Sequence, residues 1–174
     1  MQVQTTIPHW DSLIHEATPN PSFKDCFTVS IIPNKHINLD ELVYRCFANF
    51  TKGWVEKLFI LRDTLVKPFG LKTSGKEKPV FDFNKRIEKG GNVGFFEVID
   101  LNSEELLLYA DDSHLEAYLS ISVNQTDNKS IIQVTTTANT RNRFGQIYLS
   151  IIKPFHKLII RNMLRHVANH YTSK

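Results

Sequence analysis

The stretch Phe144–His170, FGQIYLSIIKPFHKLIIRNMLRHVANH, decides the fold class. Gln146, Ser150, Lys153, Lys157, Arg161 and Arg165 recur at spacings of three and four, the spacing of one stripe on an α-helix. Opposite them the pattern sets Tyr148, Ile151, Ile152, Phe155, Leu158, Ile159 and Met163 as an apolar face. A strand would alternate every second residue, and this tract does not. Pro154 removes one N–H and predicts a kink near Ser150–Lys153, or a first turn re-entered there. Arg161, Arg165, His166 and His170 fall toward the C-terminal end, where the helix dipole favours cations. Asn162 and His166, four residues apart, interrupt the apolar face close to Phe155 and Ile159. They read either as solvated residues at a helix end or as polar contacts inside an apolar pocket.

Upstream of this helix the sequence alternates. Gly94–Leu101 and Glu104–Ala110 read as strands joined at Asn102-Ser103, a hairpin-length turn. Leu115–Asn124 puts Leu115, Ala117, Leu119, Ile121 and Val123 on one face. Ser130–Thr140 does the same with Ile132, Val134, Thr136 and Ala138. Such alternation predicts an antiparallel meander with one covered and one wet face. Lys24–Ile32 reads as a first strand. Asn38, with Glu41 three residues later, opens a helix whose apolar stripe is Leu39, Leu42, Val43, Cys46, Phe47 and Phe50. A second short helix is expected over residues 54–66, and a charged, glycine-rich loop over 71–92 around an apolar island at Val80–Phe83.

Residues 1–22 read as a polar, proline-punctuated arm, pinned to the body by Trp10, Leu13 and Ile14, and residues 23–174 as one domain. The order is strand, two short helices, meander, long helix. That is an α+β fold in which a curved antiparallel sheet wraps the C-terminal helix. Where sheet and helix surfaces fail to match, the gap becomes a cavity.

Composition narrows the functional classes. The 174 residues are 41% apolar and 22% charged, with 12 Phe, so a bulky aromatic core is expected. The formal charge of +3 is too small to argue for nucleic acid. The opening MQVQTTIPHWDS has no apolar core of signal-peptide length, and no run approaches a membrane span. Cys26 and Cys46 form no metal or redox spacing. Together these features predict a reduced, cytoplasmic protein without an integral membrane segment.

The tracts Glu105–Leu119 (ELLLYADDSHLEAYL) and Thr140–Ile160 (TRNRFGQIYLSIIKPFHKLII) carry a family resemblance, with weaker support from Leu61-Arg62-Asp63 through Phe69-Gly70-Leu71. Over about residues 23–168 the chain resembles a bacterial domain-of-unknown-function family of the SRPBCC superfamily. That superfamily includes START lipid-transfer domains, plant pathogenesis-related allergens and aromatic polyketide cyclases. The resemblance implies the helix-grip fold and an apolar or amphipathic ligand under the last helix. An iron–sulfur branch exists, but it needs a Cys/His-rich partner domain that this sequence lacks, so no cofactor is expected.

Three hypotheses follow. The first is a binding module for a small apolar or amphipathic molecule, lined by Leu119, Ile121, Val134, Thr136, Tyr148, Ile152, Phe155 and Ile159, with Asn162 or His166 as polar contacts. The second is a cyclase- or hydrolase-type enzyme in which Asp112, His114, Tyr148 or His166 converge. Against it, Asp111-Asp112-Ser113-His114 between two apolar strands is ordinary turn chemistry. The third is an interaction protein with a filled core. His166 and His170 have the i, i+4 spacing of a helical metal pair, but lack the acidic residue of a His-Glu-x-x-His motif, and no metal is expected. Arg141 and Arg143 either bind an anion at the helix N-terminus or pair with Asp111 or Asp112.

Overall fold

The computed structural model describes residues 2–9, 11–48 and 86–173. Trp10, the helix expected over 54–66, the island at Val80–Phe83 and most of the 71–92 loop lie outside the described residues. In chain order the elements are β1 (Gln4–Thr5), α1 (Leu13–Ala17), β2 (Phe23–Ile31), α2 (Leu39–Ala48), β3 (Asn92–Val93), β4 (Phe96–Leu101), β5 (Glu105–Asp111), β6 (Leu115–Thr126), β7 (Lys129–Thr140) and α3 (Arg143–Thr172). Among the described residues the strands form one antiparallel sheet in the order β1-β2-β7-β6-β5-β4-β3. The curved sheet carries the long C-terminal helix on its inner face, the expected α+β, helix-grip-like arrangement.

The turns follow from local chemistry. Asn102 Oδ1 accepts from the N–H groups of Glu104 and Glu105, each at 2.8 Å, and so closes the β4–β5 hairpin. The β4–β5 register shifts between Val98 and Asp100, a bulge of the kind that bends a sheet. Asn38 Oδ1 accepts from Glu41 N–H at 3.0 Å, the expected cap of α2.

The core lies between the inner sheet face and the helices. Phe27, Val29 and Ile31 of β2, Leu106 and Leu108 of β5, Leu119, Ile121 and Val123 of β6, and Ile132 and Val134 of β7 are buried there against α2 and the C-terminal half of α3. The outer sheet face is less wet than its alternation suggests. Ile14 of α1 is buried, and Ser120, Thr135 and Thr137 are all buried near it. Glu105, also buried, accepts from Ser12 Oγ at 2.6 Å, from Leu13 N–H at 3.0 Å and from Ser120 Oγ. The arm is thereby tied to the sheet by a carboxylate whose lone pairs are answered.

α3 runs through Pro154 as one helix, so no first turn is re-entered there. Ser150, whose carbonyl loses its partner to the proline, is exposed, so water can satisfy that group. The helix is also rotated from the expected face. Gly145, Leu149, Ile160, Met163, Leu164, Val167, Ala168 and Tyr171 are buried, whereas Ile151 and Leu158 are 47% and 53% exposed. The N-terminal half is apolar on so many sides that its periodicity does not set the rotation. The narrower stripe of the C-terminal half does.

Both ends of α3 are anchored. Asn142 caps it, its Oδ1 accepting from Gly145 N–H at 2.8 Å. Gly145 sits against the β5–β6 turn so closely that an added Cβ would lie 2.1 Å from His114 O. At the other end Tyr171 is fully buried, and Asn34 N–H donates to its carbonyl at 2.8 Å. Gly145→Ala is therefore expected to destabilise the fold by about 2–3 kcal/mol, as overpacking does. Helix propensity alone gives the opposite sign, about 1 kcal/mol of stabilisation. Urea unfolding of the two proteins distinguishes the outcomes.

Candidate functional site

Two clusters of polar side chains lie along α3. The first is the one the sequence points to. His114 is buried, its ring edge-on to Tyr148 at 4.7 Å and to Phe144 at 5.4 Å between centroids. Asp112 Oδ1 is 3.6 Å from His114 Nδ1 and also accepts from Ser113 N–H at 2.7 Å. Asp112, His114 and Tyr148 therefore converge. His166 does not join them: it is exposed, eighteen residues and about 27 Å further along the helix. Gly145 presses on the backbone of this turn, and Arg141 clamps it. The Arg141 guanidinium pairs with Asp111 at 2.7 Å and Glu116 at 3.3 Å, and donates to Asp112 O at 3.1 Å. This arrangement is a structural lock between turn and helix.

The second cluster centres on Asp25 and His156, which sequence reading does not single out. Asp25 faces the helix from β2, between Phe23 and Phe27 on the same strand face. Its side chain is only 5% exposed. Among the described residues no hydrogen-bond donor reaches either carboxylate oxygen. His156 Nε2 of α3 stands 3.4 Å from Asp25 Oδ1 and shares a 3.1 Å hydrogen bond with Thr136 Oγ1. Thr136 is the direct cross-strand partner of Asp25. Phe23 meets the His156 ring edge-on at 6.1 Å and carries the Lys153 ammonium over its face at 5.0 Å. The Arg161 guanidinium lies 5.2 Å from the Phe27 ring centroid.

A cleft of about 330 Å³ opens beside this cluster. It is lined by arm residues 5–8, by Phe23, Asp25 and Phe27, and by Lys157 and Arg161. Its size lies at the lower end for small-molecule sites. The combination is one half-buried aromatic ring, Phe23, one buried carboxylate, Asp25, and two cations from the helix.

The other expected lining residues distribute around this region. Leu119, Ile121, Val134 and Thr136 are buried on the inner sheet face, paired as Leu119 with Thr136 and Ile121 with Val134. Tyr148, Ile152, Phe155, Ile159 and Asn162 are half-buried on α3. His170 stands 3.5 Å from Glu41 on α2 rather than with His166. Among the described residues no group of three or more His, Cys, Asp and Glu side chains is placed to hold a metal ion. Both cysteines are free and buried, and burial pushes the Cys46 thiol up to about 12.

The family comparison matches residues 17–163, most of the chain. The chain belongs to the family described as Protein of unknown function (DUF2867). This DUF2867 member has no match among curated proteins. Its fold is similar to that of hypothetical protein jhp0584 from Helicobacter pylori, at 13% identity and a TM-score of 0.49, over 97% of this chain and 99% of that one. It is also similar to a conserved protein from Geobacillus kaustophilus, at 12% identity and a TM-score of 0.39, over 86% of this chain and 95% of that one. CalU16 from Micromonospora echinospora matches at 8% identity and a TM-score of 0.34, over 86% of each chain. No helix among the described residues is long and apolar enough to cross a membrane.

A signal for the second cluster was present in the sequence. Asp25 is in phase with Phe27, Val29 and Ile31 of an alternating strand, an acidic residue where an apolar one belongs. A buried carboxylate without donors is costly. Asp25→Val is therefore expected to raise stability by about 1–2 kcal/mol, measured by urea unfolding. A loss of similar size would make the carboxylate a structural group.

Proposed function

We propose that this protein binds a small amphipathic molecule in the cleft between β2, the N-terminal arm and the C-terminal helix. The observation that carries the reading is the Asp25 carboxylate, buried beside the cleft with neither oxygen hydrogen-bonded to a donor among the described residues. A ligand hydroxyl or amide N–H supplies that donor. The apolar body of the ligand lies along Phe23. An acceptor at its other end faces Lys157 and Arg161. These two cations disfavour an ammonium-headed ligand, so a neutral donor is the better match to Asp25. This proposal moves the site from the expected Tyr148 and His166 positions toward the middle of α3.

Membership of the SRPBCC superfamily is part of the same reading. The curved sheet around a long final helix supports it, as does the sequence resemblance. So is a cytoplasmic location, supported by two free buried cysteines.

An enzymatic reading competes because Asp25, His156 and Thr136 are adjacent. Triad chemistry needs one imidazole nitrogen on the acid and the other on the hydroxyl. Here the same atom, His156 Nε2, faces both Asp25 and Thr136. The arrangement therefore suits polar recognition better than nucleophile activation.

Native mass spectrometry of the purified protein, followed by denaturing analysis, tests the proposal. The expected result is a co-purifying small molecule on the native chain that is absent from folded Asp25→Val. A clean mass for the native chain, or the same added mass on the variant, contradicts it.

A further inference from the structure

The outward face of α3 carries an unusual combination. Ile147, Ile151 and Leu158 are 61%, 47% and 53% exposed. At 3.6 residues per turn they fall within about 40° of one another, in a line roughly 16 Å long. Beside them Arg143, Lys157 and Arg165 are exposed. The whole helix, Arg143–Thr172, contains no Asp or Glu. Ile7, 83% exposed, flanks the cleft that Lys157 and Arg161 also line, adding an aliphatic side chain beside the same cations.

An aliphatic line edged by cations, with no carboxylate on the helix, fits one kind of partner. We propose that this face docks on an anionic lipid surface. Ile147, Ile151 and Leu158 enter the acyl boundary, and Arg143, Lys157 and Arg165 meet lipid phosphates at the head-group level. A second copy of the chain fits poorly. An isologous contact along this stripe brings the cations of one helix toward those of the other with no acidic residue on either helix to offset them. The helix lies in the interface rather than spanning it, in keeping with its mixed face and buried opposite side. This docking does not depend on the cleft holding a ligand.

The test is flotation of the full chain with vesicles of phosphatidylcholine alone, and with about a third phosphatidylglycerol. The chain should float with the anionic vesicles, not with the neutral ones, and should be released by high salt. Two variants act on separate parts of the surface and leave the cleft untouched: Ile151→Asp with Leu158→Asp, and Arg143→Glu with Arg165→Glu. Each pair should lower the bound fraction about tenfold or more while the urea midpoint stays near that of the native chain. Equal flotation with both vesicle types overturns the proposal, as does no flotation with anionic vesicles, or binding that survives the aspartate pair. A dimer in solution that Ile151→Asp disperses would instead assign the stripe to a second copy. Binding to polyglutamate without binding to vesicles would assign it to an acidic protein.

Discussion

The rotation of α3 about its own axis is the constraint on which the remainder of the structure depends. Two anchors set it. At the N-terminal end Gly145 rests on the backbone of the β5–β6 turn, where no side chain fits. At the C-terminal end Tyr171 is buried beneath the β2–α2 connection. Between these points the helix has no freedom to turn without exposing Met163, Leu164 and Val167. That rotation puts His156 over Asp25 and Thr136, sets Lys157 and Arg161 against the cleft, and leaves Ile147, Ile151 and Leu158 facing outward.

The order of elements was legible because each rests on a short-range rule. Alternation in β6 and β7, the Asn102 turn and the Asn38 cap all depend on neighbours within a few residues. The rotation of α3 was less legible. Its first half is apolar over more than one side, so local periodicity is satisfied by several faces. The contacts of the second half with α2 and the sheet, together with the seat of Gly145 on the β5–β6 turn, choose among them. The same ambiguity leaves His166 open between solvent and pocket in the sequence; packing puts it in solvent and sets His156 half-buried against the sheet.

Two buried carboxylates, Glu105 and Asp25, differ in how completely they are satisfied. Glu105, buried on the outer face, accepts from three donors and ties the arm helix to the sheet. Asp25, buried on the inner face, accepts from none among the described residues and borders a cleft. Both are carboxylates in the same sheet and both are over nine-tenths buried by residue. A satisfied buried acid contributes to the fold. An unsatisfied one is tolerated at a cost, and such costs concentrate at binding sites.

The central claim is that the Asp25–His156 cluster, and not the Asp112–His114 turn, receives the ligand. Amide and imidazole NMR during titration with an ω-hydroxy medium-chain carboxylate addresses it directly. That probe presents a hydroxyl for Asp25, an alkyl chain for Phe23, and a carboxylate for Lys157 and Arg161. Shifts confined to β2, Thr136 and the His156–Arg161 segment are the predicted result. Shifts centred on residues 111–114 and Tyr148, with β2 unmoved, would contradict the account.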